Sequence, residues 1–356
     1  MASRRKRPSQ AQVIERLQKV IPDLQRMEEV LGDDPAKRLA EAAQAQPGRG
    51  PAGEGDDTES EGFASTGQSA LSALDKIRRD GTEADLTAPE RENAEAIIEL
   101  FGRPAILVQG GRFFAPEHPW EKLEDQREGI EESLRSVGRI EIDGHPALDW
   151  VGTGFLVADD VIITNRHVAK EFARQGPDLQ WVFESGMTPR IDFAEEMGGA
   201  KPREFELTEL IGISDAFDMA FMRVAQTGGA DAGELPPRLP LAPASACESG
   251  REVYVIGYPA SDSRRNDPEE QRRIFDGIFD VKRLQPGELD SVDPPASLCT
   301  HDCSTLGGNS GSCVIDLQTH QILGLHFSGR YLVANKAIAL AHCGDDLIKK
   351  AGLEFA

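Results

Sequence analysis

From Pro104 to Ala356 the apolar residues come in short runs, and Gly, Pro, Asp or Asn punctuates them. The runs are Ala105–Val108, Gly138–Ile142, Gly154–Val157, Val161–Thr164, Glu204–Ile211, Asp218–Val224, Val253–Gly257, Cys313–Asp316, Gln321–Phe327 and Tyr331–Ala339. Runs of this length read as strands, and many of them at such spacing make an all-β sandwich or barrel. Long helices do not alternate with them, which disfavours a parallel α/β sheet. A helical pattern over Gly344–Leu353 predicts a C-terminal helix. The expected class is therefore mainly β, with chain enough over 104–356 for two packed antiparallel barrels and a C-terminal helix.

The N-terminal part reads differently. Ser9-Gln10-Ala11-Gln12 fits a capping box, and Val13, Leu17, Val20, Leu24, Met27 and Leu31 follow on one helical face. Pro22 breaks that helix and starts a second, which Gly32 ends. Residues 1–45 are thus a helical segment, whose apolar stripe can dock on the main domain, pair with its own copy or recruit a protein partner. Residues 46–68 mix glycines with acids such as Glu54, Asp56 and Glu59, a composition that cannot offset its ordering entropy, and read as a flexible linker. Residues 69–103 carry short helices, the second opened by Thr87-Ala88-Pro89-Glu90 and closed by Gly102.

Charge and cysteines narrow the function. The 356-residue chain has a net charge of −22, so phosphate and anionic membranes repel it. No apolar run is long enough to span a bilayer. Arg4-Arg5-Lys6-Arg7 is basic like a signal-peptide start, but no apolar core follows it. Five sparse cysteines make no disulfide framework. The expected location is the cytoplasm.

Three local patterns carry chemistry. Gly152–Val157, a tight turn and Val161–Thr164 form a hairpin that delivers His167 at the start of a helical turn. Asp218 stands at the mouth of an apolar strand, with Asp215 as a rival acid. Ser310 sits in the Gly-rich turn Leu306-Gly307-Gly308-Asn309-Ser310-Gly311. A serine is a poor nucleophile until a base takes its proton, and His167 is the natural base near neutral pH. An acid such as Asp218, which abuts the apolar strand, holds the imidazole in the right tautomer. The N–H groups of Gly308 and Ser310 can converge on a developing oxyanion. The order His, acid, Ser excludes an α/β-hydrolase, in which the serine comes first.

These motifs, over residues 104–356, resemble the chymotrypsin-fold (trypsin-like) serine peptidases in their bacterial-type, disulfide-poor branch. The resemblance implies two β-barrels, an acyl-enzyme mechanism on protein or peptide substrates, and no cofactor or metal. In trypsin-type zymogens an Asp precedes the nucleophile and pairs with a freshly cut N-terminus. Here that residue is Asn309, so activation by such an ion pair is not expected. Thr305 and the strand containing His326 and Ser328, read as an edge strand, occupy positions that wall the S1 pocket. A Thr and a His there resemble glutamyl endopeptidases and imply an acidic P1 preference; His326 can equally be a packing residue. Cys299, His301 and Cys303 alternate towards the nucleophile loop at a spacing that matches no zinc pattern. The alternative function is a weak or inactive protease-fold interaction module.

Overall fold

The structure is a computed structural model that describes residues 103–115, 120–199, 201–229, 232–261, 274–330 and 334–356, with a few positions between 72 and 87. The N-terminal helices, the 46–68 linker and most of 69–103 lie outside the described residues. The chain divides into two compact units, and the second comprises Ala105–Pro116, Glu121–Pro268 and Ile278–Ala356.

In chain order the second unit contains β1 (Ile106–Gln109), β2 (Arg112–Phe113), α1 (Arg127–Leu134), β3 (Val137–Asp143), β4 (Trp150–Ala158), β5 (Val161–Thr164), α2 (Arg166–Ala169), β6 (Ala173–Gln175), β7 (Trp181–Phe183), β8 (Thr188–Asp192), β9 (Glu204–Ile213) and β10 (Ala220–Val224). It continues with β11 (Glu252–Gly257), β12 (Arg283–Asp293), β13 (Leu298–His301), β14 (Cys313–Asp316), β15 (Ile322–Arg330), β16 (Ala334–Ala339) and α3 (Asp346–Lys350).

Six of these strands close into an antiparallel barrel in the order β10-β5-β4-β3-β8-β9. Ile140, Leu156, Ile162, Ile191, Phe205 and Met222 fill it. Six more run β11-β14-β15-β16-β13-β12, and the β11–β12 pairing closes that ring as well. Val253 and Val255, two apart on β11, both reach its interior with Val314, Leu323 and Ala337, as strand alternation requires. Each such fully buried side chain contributes about 1.5–3 kcal/mol, and closure removes the exposed edges that flat sheets carry. The fold is the expected mainly-β pair of barrels. The C-terminal helix is shorter than its pattern, because a 3₁₀ turn over Leu340–His342 precedes it and Asp345 caps it through the Leu347 N–H at 2.9 Å.

β15 corrects one expectation. It lies inside the second barrel rather than at an edge, paired to β14 through Ile322, Gly324 and Leu325 and to β16 from Gly324 to Arg330. Beyond Leu325 its register with β14 ends, and among the described residues no strand pairs with that side from Phe327 on.

Candidate functional site

His167 is the second residue of the short helix α2, whose first-turn N–H groups have no partner within the helix. The preceding Asn165 does not cap with its side chain; its Nδ2 donates to the Asp218 carbonyl at 2.9 Å. The orphan N–H of His167 instead donates to Asp218 Oδ1 at 3.0 Å, and Asp218 Oδ2 lies 2.7 Å from His167 Nδ1. One carboxylate thus fixes both the backbone and the ring. Burial works to raise the Asp218 pKa, but the hydrogen bond and charge of His167 outweigh it and hold the carboxyl below its usual range. Asp215, the rival acid, presents its carbonyl to Arg166 Nη1 at 2.9 Å, and that guanidinium also takes the Ser214 carbonyl at 3.1 Å. The arginine therefore ties the turn that carries Asp218 to the helix that carries His167.

The serine loop runs into β14. Gly308 and Gly311 both have positive φ, +82° and +89°, which only glycine adopts freely. A Cβ on Gly311 would overlap the Thr153 carbonyl and Thr164 Oγ1. Gly311→Ala is expected to lower the unfolding free energy by about 3 kcal/mol or more, from backbone strain plus overpacking. Denaturant unfolding checks this, and an unchanged midpoint would mean that the loop relaxes freely. Among the described residues neither the Gly308 nor the Ser310 N–H has an acceptor, whereas the Asn309 N–H between them donates to the Leu306 carbonyl at 3.3 Å. Two free donors flanking one satisfied donor is the arrangement an oxyanion site needs.

Thr153 joins the two halves and was not legible as a site residue. Its N–H donates to the Ser310 carbonyl at 2.9 Å, and its Oγ1 donates to the Gly308 carbonyl at 2.8 Å. The neighbouring Gly152 is bare because a Cβ there would meet both the Ser310 carbonyl and the Val168 side chain, 2.9 Å from each. Ser310 is thereby packed against the strand beside the His167 helix. Among the described residues no hydrogen bond links Ser310 Oγ to His167. Such bonds are often long without substrate and tighten in the reacting complex.

On the far side of Ser310, the Gly311 N–H donates to the His326 carbonyl at 3.0 Å. His326 is 2% exposed, and its Nδ1 lies 3.1 Å from Nε2 of the fully buried His301. The rings meet edge-on with centroids 5.2 Å apart. Thr305 Oγ1 donates to Asn335 Oδ1 at 2.7 Å, and Ser328 is exposed on β15. Cys299 and Cys303 pack into the core of the second barrel as small apolar groups. Burial drives the His301 pKa down to about 3 and, with the charges of His301 and His167, holds His326 well below its normal value. Both rings are therefore neutral when folded and protonate near pH 6.5 only on unfolding. Stability from them is complete above pH 6.5 and falls as pH drops below it, by about 3 kcal/mol for the pair between pH 7.5 and 5.5. Glu195, Glu204 and Asp280, whose carboxyl pKa values partial desolvation raises, contribute with the opposite sign. Urea unfolding at the two pH values checks the sum, and equal stability would mean that the rings are charged in the fold.

One group of acids lies close enough to share a cation, Glu141, Asp192 and Glu195. Arg139 already occupies it, donating to Glu141 Oε1 at 2.6 Å and lying 3.4 Å from Glu195 Oε2.

Two closed antiparallel barrels, with a His–Asp pair on one and a Gly-rich serine loop entering the other, make a chymotrypsin-like fold. Residues 152–325 match the family model of the trypsin-like peptidase domain. No curated protein matches the chain in sequence. Among solved structures it is similar to the serine endoprotease from Yersinia pestis, at 15% identity and TM-score 0.42 over 64% of this chain. That alignment spans 66% of the Yersinia chain, just under two thirds. The chain is also similar to the Rv3671c protease from M. tuberculosis in its active form, at 20% identity and TM-score 0.42 over 70% of this chain and 92% of that one. The inactive form of the Rv3671c protease aligns at 20% identity and TM-score 0.42, over 67% and 98%.

Proposed function

We propose that this domain is a serine endopeptidase working through an acyl-enzyme. Ser310 Oγ attacks the scissile carbonyl and passes its proton to His167 Nε2. Asp218 holds the proton on Nδ1 and stabilises the imidazolium. The N–H groups of Gly308 and Ser310 receive the oxyanion, His167 then protonates the leaving amine, and water releases the acyl group by the same route. The observation that carries this reading is the double hold of Asp218 on His167, at 3.0 and 2.7 Å, on the barrel whose Thr153 grips the Ser310 loop.

A substrate strand can pair with the open side of β15 beyond Leu325, as edge-adding peptides do. Thr305, His326 and Ser328 then line the P1 side chain. The resemblance to glutamyl endopeptidases implies an acidic P1 side chain there. An uncut chain is expected to be active, because Asn309 is buried and has no charge to pair with a new terminus. The reading includes a reducing compartment, the cytoplasm, which five free cysteines support. It also gives residues 1–103 a regulatory or recruiting role, supported by the apolar stripe of Val13, Leu17 and Val20.

The test is fluorophosphonate labelling of the full chain beside Ser310→Ala. Labelling of the first alone is expected. Labelling of neither would favour the interaction-module alternative.

A further inference from the structure

The C-terminal helix α3 follows the last strand of the second barrel, yet it packs against β9 of the first. Lys350 Nζ donates to the Ile211 carbonyl at 2.6 Å, and a Cβ on Gly212 would lie 2.5 Å from Leu347 Cδ2. At the helix start Asp345 divides its carboxylate. Oδ1 accepts the Leu347 N–H at 2.9 Å as the cap, and Oδ2 accepts the hydroxyl of Ser214.

Ser214 opens the loop that carries Asp218. Its N–H donates to the Met219 carbonyl at 3.0 Å, which closes the loop, and the residue is 1% exposed. A hydroxyl has one proton and two lone pairs. The proton goes to Asp345, so Oγ turns its lone pairs to the loop and takes the Phe217 N–H at 2.9 Å. Phe217 immediately precedes the acid. From the opposite side α2 holds the same loop, through Arg166 on the Ser214 and Asp215 carbonyls and Asn165 on the Asp218 carbonyl. The loop is thus gripped between the helix that bears His167 and the helix that ends the chain. Without the Ser214 hydroxyl, the Phe217 N–H and one Asp345 oxygen lose their partner, and the loop must shift to offer them another. Hydrogen bonds weaken steeply with angle, so the two bonds from Asp218 to His167 feel such a shift first.

Resting on the serine-peptidase reading, we propose that Ser214 and Asp345 are positioning residues for Asp218, and that α3 braces the acid's loop against His167. Neither side chain is given a part in the reaction itself. Both act through Asp218, so their effect falls on kcat and not on KM.

The test is a double-mutant cycle on the full-length chain, read by the rate of fluorophosphonate labelling of Ser310 and by hydrolysis of a library peptide that the chain cleaves. Ser214→Ala leaves Asp345 Oδ1 on the Leu347 N–H, so the helix keeps its cap. It is expected to lower the labelling rate and kcat about tenfold, with KM changed less than about twofold. Asp345→Ala cuts the same bond from the other side and is expected to match it. Asp345→Asn, whose amide can donate to the Ser214 lone pairs, is expected to recover to within about threefold of the wild type. In a chain that already carries Asp218→Asn, Ser214→Ala is expected to change the labelling rate less than about twofold, because the acid it positions is gone. Thermal melting followed by circular dichroism reports that each variant is folded, and if one partner's variant does not fold, the other partner's carries the cycle. A loss that passes undiminished into the Asp218→Asn chain means general loosening and overturns the positioning role. Labelling of both single variants at the wild-type rate overturns the inference and leaves the peptidase standing. No labelling of the wild-type chain overturns the peptidase reading, and the inference with it.

Discussion

Ser310→Ala is expected to lower kcat/KM on a good peptide substrate by about a million-fold, some 8 kcal/mol of transition-state stabilisation. The size follows from the chemistry. Without Oγ no acyl-enzyme forms, and His167 has no proton to move. What remains is substrate binding and the two free N–H groups at Gly308 and Ser310, which still favour an oxyanion generated by water. His167→Ala is expected to cost about as much, because an alcohol without its base is barely ionised at neutral pH. The double variant is then expected to lose little beyond either single one, since the two groups act as a unit. Initial rates of single and double variants on one peptide check this. Losses that multiply would show two independent contributions and a different nucleophile. Folding is not at stake, because the Ser310 backbone, rather than its hydroxyl, carries the Thr153 hydrogen bond.

Much of this architecture was legible along the chain, and what was not has a physical cause. Strands such as β5 and β14 are short, fully buried and mostly apolar, and turn residues bound them, so local pattern suffices. β12 was missed because Pro286, Glu288, Asp290 and Asp293 interrupt it. In the fold it is one strand with two tasks. Its first half pairs with β11, a bulge follows between Leu289 and Ser291, and its second half pairs with β13. β8, with Pro189 inside five residues, hid for the same reason.

The site divides the same way. His167, Asp218 and Ser310 each sit in a local context that announces them. Thr153, His301 and Asn335 do not, because their meaning lies in partners far along the chain. Thr153 acts through Gly308, 155 residues away, and Asn335 through Thr305, 30 away. A resemblance pointed to Thr305 and His326, but not to their partners, Asn335 Oδ1 at 2.7 Å and His301 Nε2 at 3.1 Å, which only the closed second barrel brings to them.

Asp218→Asn is expected to lower kcat/KM by about ten-thousand-fold near neutral pH while leaving the fold intact. The two hydrogen bonds of Asp218 dictate the outcome. Its Oδ1 accepts the His167 backbone N–H at 3.0 Å, so the amide oxygen of an asparagine must take that place or leave a donor unsatisfied. The amide NH2 then faces Nδ1, where Oδ2 stood at 2.7 Å. A donor there forces Nδ1 to accept, and the ring proton moves to Nε2. The nitrogen that should take the Ser310 proton is already protonated, so the base is lost without any atom being displaced. The variant also lacks the negative charge that stabilises the imidazolium. Fluorophosphonate labelling should slow in proportion to peptide hydrolysis, since both need Ser310 activated, and the melting temperature should move by only a few degrees. Labelling that stays fast while hydrolysis falls would place Asp218 in a later step, protonation of the leaving amine, rather than in holding the tautomer of the base.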